Sequence, residues 1–326
     1  ESGEIDIVIG THKLVGKRVK FKDLGLIIVD EGQKFGVSVK DKLKTLRATV
    51  DTLTLTATPI PRTLQFSLMG ARDLSIISTP PPNRQPVHTE VINFNEEQLR
   101  DVISYEVSRG GQVFFVHNRV QNIHEVAGLI QRLCPGIRIA IGHGQMDGEQ
   151  LEKIMVDFIE EEYDLLLATT IIESGIDIPN ANTILINDAH NFGISDLHQL
   201  RGRVGRSSKQ AYACFFVPPG FKRFSSGWHR LFSIQKFSSL GCGYDLSLCD
   251  LDIRGAGALF GYSQSGSSSV GFDYYSKLIS GFVAKISSSS LVLPSSLPEV
   301  FLGPAFLSNK YIKNKDDQVL IYKKLS

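Results

Sequence analysis

The chain has 326 residues, 42% hydrophobic and 21% charged, with a formal net charge of +1. That length suits two domains of ordinary size with cores of their own, and the composition is that of a soluble globular protein rather than a disordered or fibrous one. A near-zero net charge excludes a uniformly basic nucleic-acid binder, so any surface for a polyanion must be a local patch. Four cysteines (Cys134, Cys214, Cys242, Cys249) stand in no metal-ligand spacing, as expected of reduced thiols in a cytoplasmic protein. No apolar run reaches membrane-spanning length and no signal-peptide pattern opens the chain, so no membrane partner is expected. The chain starts without methionine, in Glu1-Ser2-Gly3-Glu4, and reads as a piece of something longer.

Ile5–Ile9 reads as a strand that opens at Gly10 into Thr11-His12-Lys13-Leu14, placing polar groups at a strand's carboxyl end, where open α/β sheets bind ligands. Leu24–Val29 is a continuous apolar run, the pattern of a strand covered on both faces, and it ends in Asp30-Glu31-Gly32-Gln33. Adjacent carboxylates at such a mouth suit magnesium chemistry. Asp30 would hold a metal-bound phosphate, and Glu31 would orient or deprotonate an attacking water. Asp51–Leu55 is a further strand, leading into the polar loop Thr56-Ala57-Thr58-Pro59-Ile60-Pro61-Arg62, and Thr63–Gly70 reads as helical. The stacked prolines of Ser78–Pro86 can neither continue a helix nor pair as an inner strand, and mark a hinge between two α/β units.

Beyond the hinge, strands and helices alternate. Helices are expected over Glu96–Arg109 (closed by Gly110-Gly111), Val120–Leu133 and Glu149–Glu162. Strands are expected over Val113–Val116, Ile137–Ile141, Leu165–Ala168, Thr183–Ile186 and Ala211–Val217. That alternation argues for a parallel sheet with right-handed crossovers. The densest stretch is Ala168–Arg206, which ends in Gln199-x-x-Gly202-Arg203-x-Gly205-Arg206. Glycine clears a close approach for phosphate and guanidinium is its fitting partner, so Arg203 and Arg206 are two candidate phosphate cations. After Pro218-Pro219-Gly220, Arg223–Leu240 reads as helical, the next residues are less regular, and Ser287–Ser290 reads as a flexible connection.

Taken in order, Gly10–Lys13, Asp30-Glu31-x-Gln33, Thr56-Ala57-Thr58-Pro59, His117-Asn118-Arg119, Ala168–Asp177 and Gln199–Arg206 resemble the later motifs of superfamily 2 helicases. The block Asp250–Gly257, with Gly261 and Gln264-Ser265-Gly266, looks like the "translocation in RecG" motif in the version carried by the bacterial transcription-repair coupling factor family. The resemblance implies tandem RecA-like parallel-sheet α/β domains, the first one incomplete, then a small, mostly helical translocation module. The expected boundaries are 1–85, 86–220 and 221–285, with 286–326 a linker and the start of a C-terminal domain.

It further implies ATP and Mg²⁺ as cofactors, the metal reaching Asp30 through ATP, and a cytoplasmic, nucleoid-associated bacterial protein. Asp30 and Glu31 would be the Walker B pair. Gln33, Thr56, Thr58, Gly175 and Asp177 would bind nucleotide or couple its state to closure. Arg203 and Arg206 would supply the arginine finger and a second polyphosphate contact, with Gln199 positioning them. Thr11, Lys13, Arg62, Asn118, Arg119, His143, Thr169 and Thr170 would hold the DNA backbone. Arg254 and Gln264 would convert closure into movement along double-stranded DNA. RNA polymerase and nucleotide-excision repair proteins would be met through domains outside this chain.

Two departures stand out. Gly32 replaces the family's usual second glutamate, and no phosphate-binding loop is present: Gly10 to Gly16-Lys17 has one residue too many between its glycines and is followed by Arg18. The implied activity is an ATP-dependent DNA translocase that couples transcription to repair. A RecG-type branch-migration helicase and a non-hydrolysing DNA-binding remnant are the alternatives.

Overall fold

The structure, a computed structural model, describes residues 4–16, 19–32, 35–47, 50–57, 73–81, 84–174, 177–222 and 225–254, without the side chains of 37, 44, 47, 173, 174, 251, 252 and 254. Contacts divide the chain into two compact units, Glu1–Ile60 with Ile76–Ser247, and Pro61–Ser75 with Leu248–Ser326. The second contributes only 73–75 and 248–254 to the described residues.

The first unit holds two parallel sheets. Strands β1 (Leu26–Asp30) and β2 (Asp51–Leu55) pair in register, Asp30 opposite Leu55, with α1 (Val37–Arg47) between them in the chain. The larger sheet has six strands: β3 (His88–Asn93), β4 (Gln112–Val116), β5 (Ile139–Gly142), β6 (Leu165–Ala168), β7 (Ala181–Ile186) and β8 (Tyr212–Val217). Their spatial order is β3-β8-β7-β4-β6-β5, and all five pairings are parallel. β4, β6 and β7 are buried along their whole length, which is why they read as unbroken apolar runs and not as alternating ones.

Helices α2 (Glu96–Ser108), α3 (Ile123–Leu133), α4 (Gly148–Ile159), α5 (Ile194–Arg201), α6 (Ser226–Lys236) and α7 (Gly243–Arg254) complete the order. Their starts follow local capping chemistry. Asn95 Oδ1 accepts from the Glu97 amide at 2.7 Å, and Ser225 Oγ from the Trp228 amide at 3.2 Å. Gly110, at φ 70, stops α2 in the left-handed conformation that glycine tolerates best. Leu99 and Ile103 of α2 and Ile123 and Ile130 of α3 are fully buried in one cluster with Val113, Phe115, Leu165, Leu167 and Phe216 of the sheet.

Several expectations need correction. Ile5–Ile9 forms no strand: Ile5, Ile7 and Ile9 are 73%, 79% and 93% exposed, and no described strand pairs with them. β1 is not covered on both faces, because Leu26 and Ile28 point outward at 54% and 59% exposure while only Val29 is buried. The helix expected from Val120 begins as a 3-10 turn, Val120–Asn122, before α3. The helix expected over Arg223–Leu240 is the shorter α6. β3 and α1 were not expected, and α7 falls in the 221–285 module expected to be mostly helical, though no helix was delimited there. Thr63–Gly70 and Ser287–Ser290 lie outside the described residues.

Candidate functional site

Parallel strands all deliver their carboxyl ends to one edge of a sheet, and the polar loops of this chain lie there. Asp30 closes β1 with its side chain exposed, and Glu31 follows in the left-handed conformation, φ 47. The Glu31 amide continues the ladder to the Leu55 carbonyl at 3.1 Å. Its carboxylate is held twice: Oε1 accepts from the Ala57 amide at 3.1 Å, and Oε2 from Gln199 Nε2 at 2.9 Å. Two N–H donors thus fix the Glu31 carboxylate in place, while the neighbouring Asp30 is exposed. Gln199 lies on α5, so the motif ending in Arg206 meets Glu31 of the acidic pair directly.

The helical turn of α5 runs past its last residue. Gly202 has αR angles and its amide donates to His198 carbonyl at 3.0 Å, and the Arg203 amide donates to Leu200 carbonyl at 3.0 Å. Arg203 thus stands four residues beyond Gln199, in the tight turn that follows the helix. Gly205, at φ 76, then turns the chain. Arg206 comes back on Asp177, Nη1 donating to Oδ1 at 2.8 Å, and its Nε donates to the Gly202 carbonyl at 3.3 Å. Arg203 and Arg206, expected as the arginine finger and a second polyphosphate contact, thus stand in different surroundings, with the left-handed Gly205 between them and the second paired to an acidic partner.

The expected DNA-contacting residues divide. Asn118 and Arg119 follow β4, His143 follows β5, and Thr169 and Thr170 follow β6, so the sheet brings these five to one edge. Asn118 and Arg119 are exposed, and Arg119 lies 3.6 Å from Asp188. His143 is half-buried with Nδ1 unbonded, and Thr169 is 8% exposed, its amide donating to the Gly142 carbonyl at 3.2 Å. Thr11 caps the 3-10 turn His12–Val15, its Oγ1 accepting from the Lys13 amide at 3.4 Å, and Lys13 is exposed. Thr56 is half-buried at the end of β2. Gln33, Thr58, Arg62, Gly175 and Gln264 lie outside the described residues, as does the Arg254 side chain.

Some of the site had no marker in the sequence. Ala57 acts through its backbone, which leaves no trace in residue type. Buried His117 is held on both ring nitrogens, Nδ1 by Asn187 Nδ2 at 3.0 Å and Nε2 by Asn122 Oδ1 at 2.8 Å. Asn187 and Asp188 could have been found, since they follow the apolar run of β7 as the other polar groups follow theirs.

Behind Gln199, Arg201 is 5% exposed. Its Nη1 donates to the Ile234 carbonyl at 2.7 Å, and Nη2 is shared by His198 Nδ1 at 3.1 Å and Cys242 Sγ at 3.3 Å. Burial, with the Arg201 charge beside it, lowers the His198 pKa from 6.5 to about 4, so it is a neutral acceptor. Burial holds the Cys242 thiol above its usual range, and it donates to the Phe237 carbonyl at 3.1 Å. A histidine kept neutral in the fold but free to protonate when unfolded destabilises as pH falls. The unfolded chain binds the extra proton between pH 6.5 and about 4, and above 6.5 the effect vanishes. Denaturant titrations from pH 7 to pH 4.5 should show wild type losing up to about 1.4 kcal/mol per pH unit more than His198→Gln. Parallel pH profiles would remove His198 as the cause.

The parallel sheet and this edge define a RecA-like helicase domain. Residues 95–208 match the helicase conserved C-terminal domain family. Along its whole length the chain is 50% identical over 329 residues to the transcription-repair-coupling factor of Staphylococcus epidermidis, and 49% identical over 330 residues to that of Staphylococcus aureus. It is a relative of the transcription-repair-coupling factors and spans 28% of their length. A solved structure of RecG bound to a three-way DNA junction superimposes with TM-score 0.60 at 32% identity, over 85% of this chain and 36% of that one. The L327V variant of Saccharomyces cerevisiae Dbp5 bound to RNA and ADP BeF3 shares the fold, with TM-score 0.51 and 17% identity over 69% of this chain and 60% of that one. Among the described residues no helix is long and apolar enough to cross a membrane.

Proposed function

We propose that this chain is the part of an ATP-driven double-stranded DNA translocase that closes its nucleotide site, working in transcription-coupled repair. The observation that carries the reading is the Gln199–Glu31 hydrogen bond of 2.9 Å, which joins the glycine-arginine motif to the strand-end carboxylates. In this reading Glu31 orients the attacking water, Gln199 and Ala57 hold that carboxylate, and Arg203 meets the developing charge on the transferred phosphoryl. Exposed Asp30 suits a magnesium ion held with the nucleotide's phosphates, and that ion would neutralise phosphate charge. Asn118, Arg119, His143, Thr169 and Thr170 would follow a DNA backbone, and RNA polymerase and excision-repair proteins would be met elsewhere in the protein.

The domain limits we infer are 1–85, 86–220, 221–285 and 286–326. The outward Leu26, Ile28, Leu53 and Leu55 of β1 and β2 support an incomplete first domain, because faces of parallel sheets are normally covered. The identity to RecG favours branch migration as the second reading. ATP-dependent displacement of a triplex-forming strand from linear duplex by the full-length protein tests the first. Displacement is expected, with no turnover by this chain alone for want of a phosphate-binding loop. Junction unwinding without triplex displacement would favour the second reading, and turnover by the isolated chain would remove the incomplete-domain argument.

A further inference from the structure

Glu31 is gripped on both oxygens, and the two grips lead to the same place. On one side the Ala57 amide reaches Oε1 at 3.1 Å. The Ala57 carbonyl lies directly against Gly243, so close that a Cβ there would overlap the oxygen. On the other side Gln199 reaches Oε2 at 2.9 Å from α5. Its chain neighbour His198 accepts from Arg201 Nη2, which also donates to Cys242, the residue before Gly243. His198 Nε2 itself stands 3.3 Å from the Cβ that Gly243 lacks. Arg201 is meanwhile anchored to the end of α6 through the Ile234 carbonyl. The contacts close into a circuit whose two ends are a catalytic carboxylate and the first turn of α7.

We propose that Gly243 and Arg201 are positioning residues that tie the start of α7 to both oxygens of Glu31. Any shift of that turn then moves the carboxylate. Arg201, Cys242 and Gly243 are buried, while Glu31 and Gln199 are half-buried and Ala57 is exposed. The packed, rigid part of the circuit is therefore its α7 end, and the carboxylate follows it through two hydrogen bonds. Glycine is required at 243 because only a missing side chain lets the helix start rest on the Ala57 backbone. α7 is also the helix whose last residues, Asp250–Arg254, open the block read as the translocation motif. The inference rests on the proposed role of Glu31, but the contact itself is read independently of turnover.

Two measurements on the full-length protein separate the two. Hydrogen exchange of the peptide spanning 50–57 reads the Ala57–Glu31 bond whether or not ATP is hydrolysed. Gly243→Ala should speed it, and unchanged exchange in a folded variant overturns the circuit. Steady-state kinetics read the consequence: kcat for ATP should fall roughly 100-fold, the scale of a misplacement near 1 Å, with KM for ATP unchanged. If Gly243→Ala fails to fold, Cys242→Val and Cys242→Ser decide. The first keeps volume but removes the acceptor of Arg201 and should lower kcat; the second keeps the acceptor and should restore it. Equal kcat in these two variants overturns the role of Arg201. Faster exchange with no ATP turnover by wild type would sink the functional reading and leave the circuit standing.

Discussion

Arg203→Ala in the full-length protein is expected to lower ATP turnover by about 10³-fold or more, the scale set by loss of an arginine finger. Sequence alone offers two candidates, Arg203 and Arg206, each preceded by glycine, and geometry separates them. The helix ends at Arg201, and the Arg203 amide donates to the Leu200 carbonyl, so Arg203 follows Gln199 within one tight turn. Gln199 donates to Glu31, which brings this segment to the strand-end carboxylates. Arg206 lies past the left-handed Gly205 and is paired with Asp177 at 2.8 Å. Arg203→Lys should recover little, because an ammonium cannot reproduce the guanidinium's bidentate hold on phosphate oxygens. Arg206→Ala should cost less, since its carboxylate partner already neutralises it. Single-turnover hydrolysis at saturating duplex checks the order. A larger loss for Arg206→Ala than for Arg203→Ala would transfer the finger to the second arginine.

The architecture was legible wherever burial imposes a period on the chain. β4, β6 and β7 are covered on both faces and announced themselves as apolar runs, and Asn95 and Gly110 bracket α2 with the chemistry of a helix start and stop. β3 was missed because its buried residues alternate with charged ones, His88 and Glu90 facing out beside Thr89 at 6% exposure. The bounds of α7, inside a module expected to be mostly helical, were not legible because Gly243-Tyr244-Asp245-Leu246-Ser247 buries a serine along with a leucine and so lacks a clean apolar stripe. The acidic pair and the glycine-arginine motif were visible as residue types, but their meeting was not: Glu31 and Gln199 are 168 positions apart. Nor could any pattern show that Ala57 and Gly243 matter, since one acts through its amide and the other through the side chain it lacks.

The largest loss of stability is expected at a residue with no part in the nucleotide site. Glu106 of α2 is fully buried, and its Oε2 accepts from Thr183 Oγ1 of β7 and Arg109 Nη2, both at 2.5 Å. Arg109 Nη2 also donates to the Gln210 carbonyl at 2.9 Å, and its guanidinium lies 5.3 and 5.4 Å from the rings of Tyr105 and Tyr212. One carboxylate thus pins a helix to the sheet and orders the approach to β8. Glu106→Ala removes it and leaves the arginine and the threonine hydroxyl without their acceptor, a loss of about 3–5 kcal/mol for a broken buried pair. Gly111→Ala should act similarly, because a Cβ there would coincide with Glu106 Oε1. Removing both charges with shape kept, in Glu106→Leu with Arg109→Met, should recover much of the loss, since the uncompensated charge and not the missing attraction dominates. Denaturant midpoints of the single and double variants measure this directly. A double variant no more stable than Glu106→Ala would mean that the hydrogen bond to Thr183, and not the buried charge on Arg109, holds α2 against the sheet.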